Sequence, residues 1–392
     1  MGYIDTDTHV IECEQTWDYM DPSERHYRPR QVEVASPDGT SLSQFYLIGE
    51  SMSRRFPTDV RPAGFGAEFS GECTHLWDPS VRIKKMDALG IDVQIVISTN
   101  FIGAEIEDPL AEAAIMRSWN RWVAERTQGY QDRLNWVMVC PTRSIGRAIE
   151  ELEFCAKNGA RGIMLKGIDH GYYLDDPRFF PLYEKAQDLD LTIVVHQGAV
   201  RKHLEGTGTS GYHQSAAQFM HYPAVTIAGF YAVISSDLYK RFPRLRFAIA
   251  ESGVSWVPFA FHHYTRHLST RMPQSYILTH RGPSRDVEEL DIKAEMEMRN
   301  LFVSCETDED LPYISSVIGE DNITVGTDFC HNDNGSDPLA HTVIMERPDL
   351  DKAVARKFVD TNGRRAFNIP TDFTPSAMMT AEARREVSLA TL

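Results

Sequence analysis

The fold class this sequence predicts is a (β/α)8 barrel, and three observations predict it. Eight short apolar runs, the first at Tyr3 and the last at Ile323, alternate with helical patterns or long loops. Such alternation implies a parallel sheet, and eight repeats imply a closed barrel. The run Leu191–His196 is apolar almost throughout, as in parallel strands buried on both faces. No G-x-G-x-x-G follows the first run, so nothing supports the alternative, an open doubly wound dinucleotide-binding sheet. A chain of 392 residues fits one such barrel with insertions.

The opening strand is Tyr3-Ile4-Asp5-Thr6-Asp7-Thr8-His9-Val10. Asp7 and His9 are two apart, so on a strand they leave the same face. Residues 13–78 form an insertion after it, with Pro22, Pro29, Pro37, Pro57 and Pro62. Its aromatics (Trp17, Tyr27, Phe45, Phe56, Phe65, Phe69) are too many for a solvated linker. The segment is therefore expected to fold over the barrel mouth, with Phe45–Ile48 in a small hairpin. Regular alternation follows: helix Val81–Leu89, strand Asp92–Ile97, then helix Pro109–Thr127 with Ile115, Trp119 and Trp122 on its apolar face. Strand Leu134–Val139 stops at Pro141, and helix Ile145–Asn158 ends at Gly159. Strand Gly162–Leu165, helix Pro177–Leu189 and strand Leu191–His196 come next. A loop rich in Gly, Ser, Thr and His, Gln197–His221, reads as a lid. Helix Ala224–Arg241, strand Leu245–Ala250, helix Val254–Arg271 and a charged stretch Arg281–Arg299 lead to strand Leu301–Cys305. Helix Asp310–Gly319 and strand Ile323–Gly326 complete the barrel, and helices run on to Phe367. Residues 1–370 read as one domain, and 371–392 as a tail with a helix from Thr380.

The net charge of −16 argues against a nucleic-acid partner, because binding phosphates needs a basic surface. The six cysteines show no CxxC pairing, and no signal peptide is present. Reduced thiols in a cytoplasmic protein are therefore expected. The longest apolar run, Ala224–Ser235, is too short to cross a membrane.

In a (β/α)8 barrel the active site lies at the C-terminal strand ends. Those ends carry Asp7 and His9 on the first strand, Lys166 on the fourth and His196 on the fifth. Glu251 ends the sixth, Glu306 the seventh, and Asp328 the eighth, with His331 just after. Taken singly, a carboxylate at a strand end often caps the next helix. The coincidence across the first, fifth, sixth and eighth strands weighs more than any member. Buried carboxylates gathered this closely repel, and their pKa values rise, unless cations neutralise them. The pattern therefore predicts a metal site. His203, His213 and His221 could add to it, though a flexible lid is the better account of their loop.

Further motifs join these residues: Arg82…Met86-Asp87…Gly90-Ile91-Asp92, Val195-His196-Gln197-Gly198, Pro243-x-Leu245-Arg246…Glu251-Ser252-Gly253…Trp256-Val257-Pro258, and Gly326-Thr327-Asp328…His331. With Asp7-x-His9 they resemble the amidohydrolase-related metal-dependent barrels, in the branch of aminocarboxymuconate-semialdehyde decarboxylase and the resorcylate decarboxylases. The resemblance runs from Asp5 to Phe367 and implies an amidohydrolase-like fold. The sequence departs from that branch twice. Asp7 stands where the usual start is His-x-His, and Glu251 where the decarboxylases keep a histidine. Both changes replace nitrogen with carboxylate oxygen. By ligand hardness, mixed carboxylates and imidazoles suit iron or manganese, whereas zinc hydrolases favour sets rich in histidine or cysteine.

This substitution pattern is similar to a smaller group, the barrel-fold nonheme di-iron monooxygenases of platensimycin and platencin biosynthesis. That resemblance implies two irons held by Asp7, His9, His196, Glu251 and Asp328, with His263 as a further ligand and Glu12 and His331 in reserve. It implies O2 activation with an external electron donor. It also implies hydroxylation of an unactivated carbon in a bulky, diterpenoid-type, CoA-linked substrate for antibiotic biosynthesis. Asp328 and His331 would handle protons. Arg201, Lys202, Arg281 and Arg285 are the candidates, by loop position, to hold a CoA tail. A lysine at the position of Lys166 is carbamylated in binuclear hydrolases of the wider superfamily; here it could equally pair with a ligand or support one. The alternative reading is a nonoxidative decarboxylase or hydrolase using one Mn or Zn ion. Barrels of this family often pair, which implies a homodimer.

Overall fold

Apolar strands that must bury both faces pair edge to edge and close on themselves, and the computed structural model of this protein does so. It describes residues 2–35, 38–40, 42–54, 70–198, 214–269, 290–331 and 335–370. The barrel strands are β1 (Tyr3–Val10), β2 (Ile91–Ser98), β3 (Leu134–Val139) and β4 (Ala160–Lys166). They continue as β5 (Thr192–His196), β6 (Arg246–Ile249), β7 (Leu301–Cys305) and β8 (Ile323–Val325). All eight lie in one sheet in sequence order, and every pair is parallel. The seam between β8 and β1 is closed by Thr6 Oγ1 donating to the Val325 carbonyl (3.0 Å) and by a parallel bridge from Thr8 to Phe329.

The surrounding helices begin and end where their capping chemistry dictates. Helix Pro109–Arg126 starts with Asp108, whose carboxylate accepts from the Leu110 amide, and with proline in its first turn. Its buried face carries Trp119 and Trp122, and the Trp119 ring lies 6.1 Å from that of Trp136 on β3. Helix Pro79–Leu89 ends at Gly90, whose φ of 76° is cheap only for glycine. Helix Asn362–Phe367 plugs the N-terminal end of the barrel. The Ala366 carbonyl accepts from Arg246 Nε (3.0 Å) and Thr192 Oγ1 there. Gly363 lies so close to β1 that a Cβ would meet Ile4 Cγ2 at 2.9 Å.

Two elements differ from the expectation. The insertion holds a three-stranded antiparallel sheet, Arg30–Ala35, Leu42–Ile48 and Ser51–Arg54, in place of one hairpin. Trp17 anchors the insertion, edge-on to Tyr46 (5.7 Å) and to Phe101 after β2 (6.4 Å). The second difference is helix Gln214–Ser235, which runs through Pro223 instead of starting after it and so takes in part of the expected lid loop. Phe56, Phe65, Phe69, Arg201, Lys202, His203, His213, Arg281, Arg285 and the helix expected from Thr380 lie outside the described residues, as does the side chain of His221. None of the six cysteines forms a disulfide, and all are buried. No helix among the described residues is long and apolar enough to cross a membrane.

Arg82 is the one fully buried arginine at the strand-1 side of the barrel wall. Its guanidinium donates to Gln94 Oε1 (2.7 Å), the His9 carbonyl (2.7 Å) and Thr8 Oγ1 (3.0 Å), and lies over the Phe329 ring. Removing it takes a charged donor from three buried acceptors at once, of which the His9 carbonyl keeps Cys330 Sγ (3.1 Å). Arg82→Met should destabilise the protein by on the order of 3 kcal/mol, read by equilibrium denaturation. A loss under about 1 kcal/mol would mean that these bonds hold nothing.

Candidate metal centre

The strand ends deliver the side chains in the order in which the barrel closes. Asp7 and His9 leave β1 on one face, with Asp7 Oδ1 3.4 Å from His9 Nε2. His9 Nε2 is 3.3 Å from Asp328 Oδ1, just past β8. From the other side, His196 Nε2 at the end of β5 is 3.5 Å from Asp7 Oδ1 and 3.2 Å from Glu251 Oε2. Asp7, His9, His196 and Glu251 form one group of donor atoms within 4.8 Å of each other, and His9, Asp328 and His331 form another. His9 belongs to both.

Four atoms at this centre are buried without a hydrogen-bond partner: Asp7 Oδ1, His9 Nε2, His196 Nε2 and Asp328 Oδ1. Buried polar groups are rarely left in this state, because each costs its full desolvation. The rest of each side chain is tied down. His9 Nδ1 lies 3.2 Å from the Ser98 carbonyl and His196 Nδ1 2.7 Å from the Gln197 carbonyl. A carbonyl can only accept, so in each ring Nδ1 carries the hydrogen and Nε2 presents a bare lone pair to the centre. Ser336 Oγ donates to Asp328 Oδ2 (2.6 Å), which leaves Oδ1 aimed inward. Two imidazole nitrogens and two carboxylate oxygens, buried, convergent and unpaired, fit a divalent cation.

Electrostatics agree with that fit. Burial alone would raise the Asp7 carboxyl, but His196 and His9 outweigh it and hold the group far below the usual carboxylate range. Burial, helped by His331, pulls His9 down to about 4, so it is neutral at physiological pH. Asp7 overcomes the burial of His196 and raises its pKa. Backbone strain marks the same place: Glu251 has φ 52° and Asp328 φ 50°, a left-handed conformation that non-glycine residues seldom adopt. Gly326 has no room for a side chain, since a Cβ would stand 2.4 Å from Asp7 Cβ.

The other candidates separate clearly. His331 joins the centre: its ring stacks on His9 at 4.0 Å, and its Nδ1 is 2.8 Å from Asp328 Oδ1, outside hydrogen-bond geometry. His263 does not join it. That residue is exposed on helix Val257–Ser269, with Nδ1 2.9 Å from the Tyr231 hydroxyl. Val257, Ala260 and Phe261 form the buried stripe of this helix, and His263 falls off it. Glu12 turns away from the centre to the Asn100 amide (2.9 Å) and Ser98 Oγ, and burial lifts its carboxyl to about 7. Glu306 is pushed up to about 8 by burial and by Glu309, Asp7, Asp308 and Asp328. Lys166 gives its ammonium to the Ala104 carbonyl (2.9 Å). Sequence reasoning missed Thr99, whose Oγ1 is 3.0 Å from His331 Nε2, together with Ser336 and the Ser98 and Gln197 carbonyls. Backbone carbonyls carry no sequence signal. Thr99, one residue beyond a strand end, could have been flagged by position.

Comparison with known proteins places these features in context. A family model described as amidohydrolase matches residues 74–369. A curated relative, 2-amino-3-carboxymuconate-6-semialdehyde decarboxylase of Dictyostelium discoideum, is 22% identical over 267 residues, which is 68% of this chain and 69% of the relative. An amidohydrolase from Mycobacterium avium subsp. paratuberculosis K-10 has a similar fold, with a TM-score of 0.73, 17% identity and coverage of 93% and 99% of the two chains. So does dihydroxybenzoic acid decarboxylase from Polaromonas sp. JS666, solved with manganese and the inhibitor 2-nitroresorcinol, with a TM-score of 0.61, 17% identity and coverage of 94% and 97%. These matches overturn the expected di-iron monooxygenase of antibiotic biosynthesis. The Dictyostelium and Polaromonas proteins are named as decarboxylases, which are lyases and not oxidoreductases.

Two tests follow from the geometry. Gly326→Ala should displace Asp7 and lower metal occupancy by about tenfold or more, read by metal analysis beside a melting curve that shows a folded barrel. Asp7 raises the pKa of His196, so an ion that takes the His196 Nε2 lone pair competes with a proton there. Metal binding should therefore release protons to the buffer and weaken as pH falls. Calorimetry in buffers of different ionisation enthalpy measures this; a heat independent of buffer would rule out the exchange.

Proposed function

This chain belongs to the amidohydrolase family, and from that premise we propose that it is a metal-dependent nonoxidative decarboxylase acting on a small carboxylated substrate. The observation that carries the reading is the set of four buried atoms, Asp7 Oδ1, His9 Nε2, His196 Nε2 and Asp328 Oδ1, which lack any hydrogen-bond partner and lie in two donor groups that share His9. These residues, with Glu251 as a fifth donor, would hold one divalent ion, manganese or zinc. Manganese is favoured by the carboxylate-rich set and by the manganese in the dihydroxybenzoic acid decarboxylase of similar fold. When bound, the ion supplies a Lewis acid that anchors the substrate's carboxylate and an adjacent oxygen.

The chain's own residues then do the remaining work. Decarboxylation breaks the bond between carbon and carboxylate, CO2 leaves, and the electron pair left on carbon takes a proton. Asp328 and His331 form the carboxylate–imidazole pair that supplies it, from His331 Nδ1, with the Thr99 hydroxyl steadying the opposite nitrogen. His9 beneath keeps the His331 ring parallel. Phe101 and Ala104, both buried in the loop after β2, limit water at the mouth.

The test is metal content and product. The protein should hold about one Mn or Zn per chain and release CO2 under argon from one or more aromatic or unsaturated carboxylic acids. His196→Ala and Asp328→Asn should lose the ion and slow CO2 release by at least about a hundredfold. A fully loaded protein that leaves such a panel untouched, or that works only in air, would sink the reading.

A further inference from the structure

Lys166 is a cation beside the metal centre that the centre does not use. On the β4–β5 ladder it pairs directly with His196. Residues in register on neighbouring strands leave the same face of a sheet, so the lysine enters the same barrel mouth as the imidazole, about 5 Å away along the hydrogen-bonding direction. Its Nζ donates to one neutral acceptor, the Ala104 carbonyl, at 2.9 Å, and makes no ion pair among the described residues. An ammonium has three donors.

The nearby acids are spent elsewhere. Asp169 accepts from Thr142 Oγ1 (2.8 Å) and, more weakly, from the Lys166 amide (3.4 Å). Glu112 accepts from the Arg143 amide (2.9 Å) and stands 2.7 Å from His170 Nε2. The segment that ties Lys166 down is also the one that touches the centre. Thr99 meets His331, the Asn100 amide meets Glu12, and the Ile102 carbonyl fills the space where a Gly198 Cβ would stand (2.4 Å). Ala104 then reaches Lys166. One loop thus spans the mouth from the proton-bearing side to the lysine, and a substrate beneath it would lie between the two.

We propose that Lys166 is the specificity residue of the site: it holds a second carboxylate of the substrate, while the metal centre holds the carboxylate that is lost. The inference rests on the decarboxylase reading and adds to it that the substrate is a dicarboxylate. Burial draws the amine below its ordinary pKa against the pull of Asp169 and Glu105, and an arriving carboxylate would favour its charged form. The ammonium would keep its bond to Ala104 and give a free donor to the carboxylate.

The experiment uses manganese-loaded protein and two inert probes, benzoate and isophthalate, with affinity measured by calorimetry. Wild-type protein should bind isophthalate at least about tenfold more tightly than benzoate, the scale of one charge-assisted hydrogen bond. Lys166→Met should erase that preference and leave benzoate within about twofold of wild type. Lys166→Arg should keep part of it, and Lys166→Gln serves if the methionine variant does not fold. No preference in the wild type, a preference that survives Lys166→Met, or equal loss of both probes would overturn the inference. A preference that depends on Lys166 but survives chelation of the metal would keep the anchor and remove the metal-dependent reading. CO2 release with a preference indifferent to Lys166 would do the reverse.

Discussion

The seam where β8 meets β1 is the constraint on which the rest depends. Asp5, fully buried, accepts from the Thr327 amide (2.9 Å) and its hydroxyl (2.6 Å). Two residues along, the Asp7 carbonyl accepts from the Asp328 amide (3.0 Å), and the Phe329 carbonyl accepts from His9 (2.9 Å). Strands more than three hundred positions apart in the chain are thereby locked in register. The same lock sets Asp7, His9 and Asp328 within reach of one ion. Burial lifts the Asp5 carboxyl to about 7 despite these bonds, so the seam tolerates a costly group in order to be specific. Arg82 braces it from outside by holding the His9 carbonyl.

The mouth of the barrel is built against its own stability. Carboxylates crowd around bare imidazole nitrogens, Glu251 and Asp328 take left-handed backbones, and Gly326 gives up its side chain to admit Asp7. Such features persist only where the surrounding structure over-determines them. Here the surroundings are a closed parallel sheet and an end plugged by the Asn362–Phe367 helix. A cation relieves the strain directly, because it supplies the partner that the unpaired atoms lack. A cation bound at this site would therefore stabilise the fold.

Ligand chemistry constrains the ion more tightly than it constrains the reaction. Asp7 and Glu251 offer carboxylate oxygens to the centre and so argue for a hard, oxygen-preferring metal. They do not argue for oxygen activation, which was an inference by analogy, and the decarboxylase relatives remove it. What a metal does to a bound carboxylate depends on how the substrate is oriented. That is decided by groups around the mouth such as His331, Thr99 and Lys166.

The barrel itself was legible, because β-strand and helix periods are local and the apolar runs that form β2, β3 and β7 need no partner to be recognised. The placing of Asp7, His9, His196, Glu251 and Asp328 at the C-terminal strand ends was legible as well, because the order of barrel strands turns position in the chain into position in space. His263 was misjudged. Its distance from the centre depends on how its helix is rotated, and the apolar stripe Val257–Ala260–Phe261 that sets the rotation was readable but unused. Glu12 was close in sequence and yet points to Asn100, a choice made by the loop after β2. By itself, then, the sequence determined the architecture and the chemical types at the strand ends, since both follow from short-range patterns. Only the tertiary structure decided which of those groups share one centre, which ring nitrogen faces it, and that Lys166 stands beside it without an acidic partner. Those facts arise from register and closure, which join residues that the chain keeps far apart.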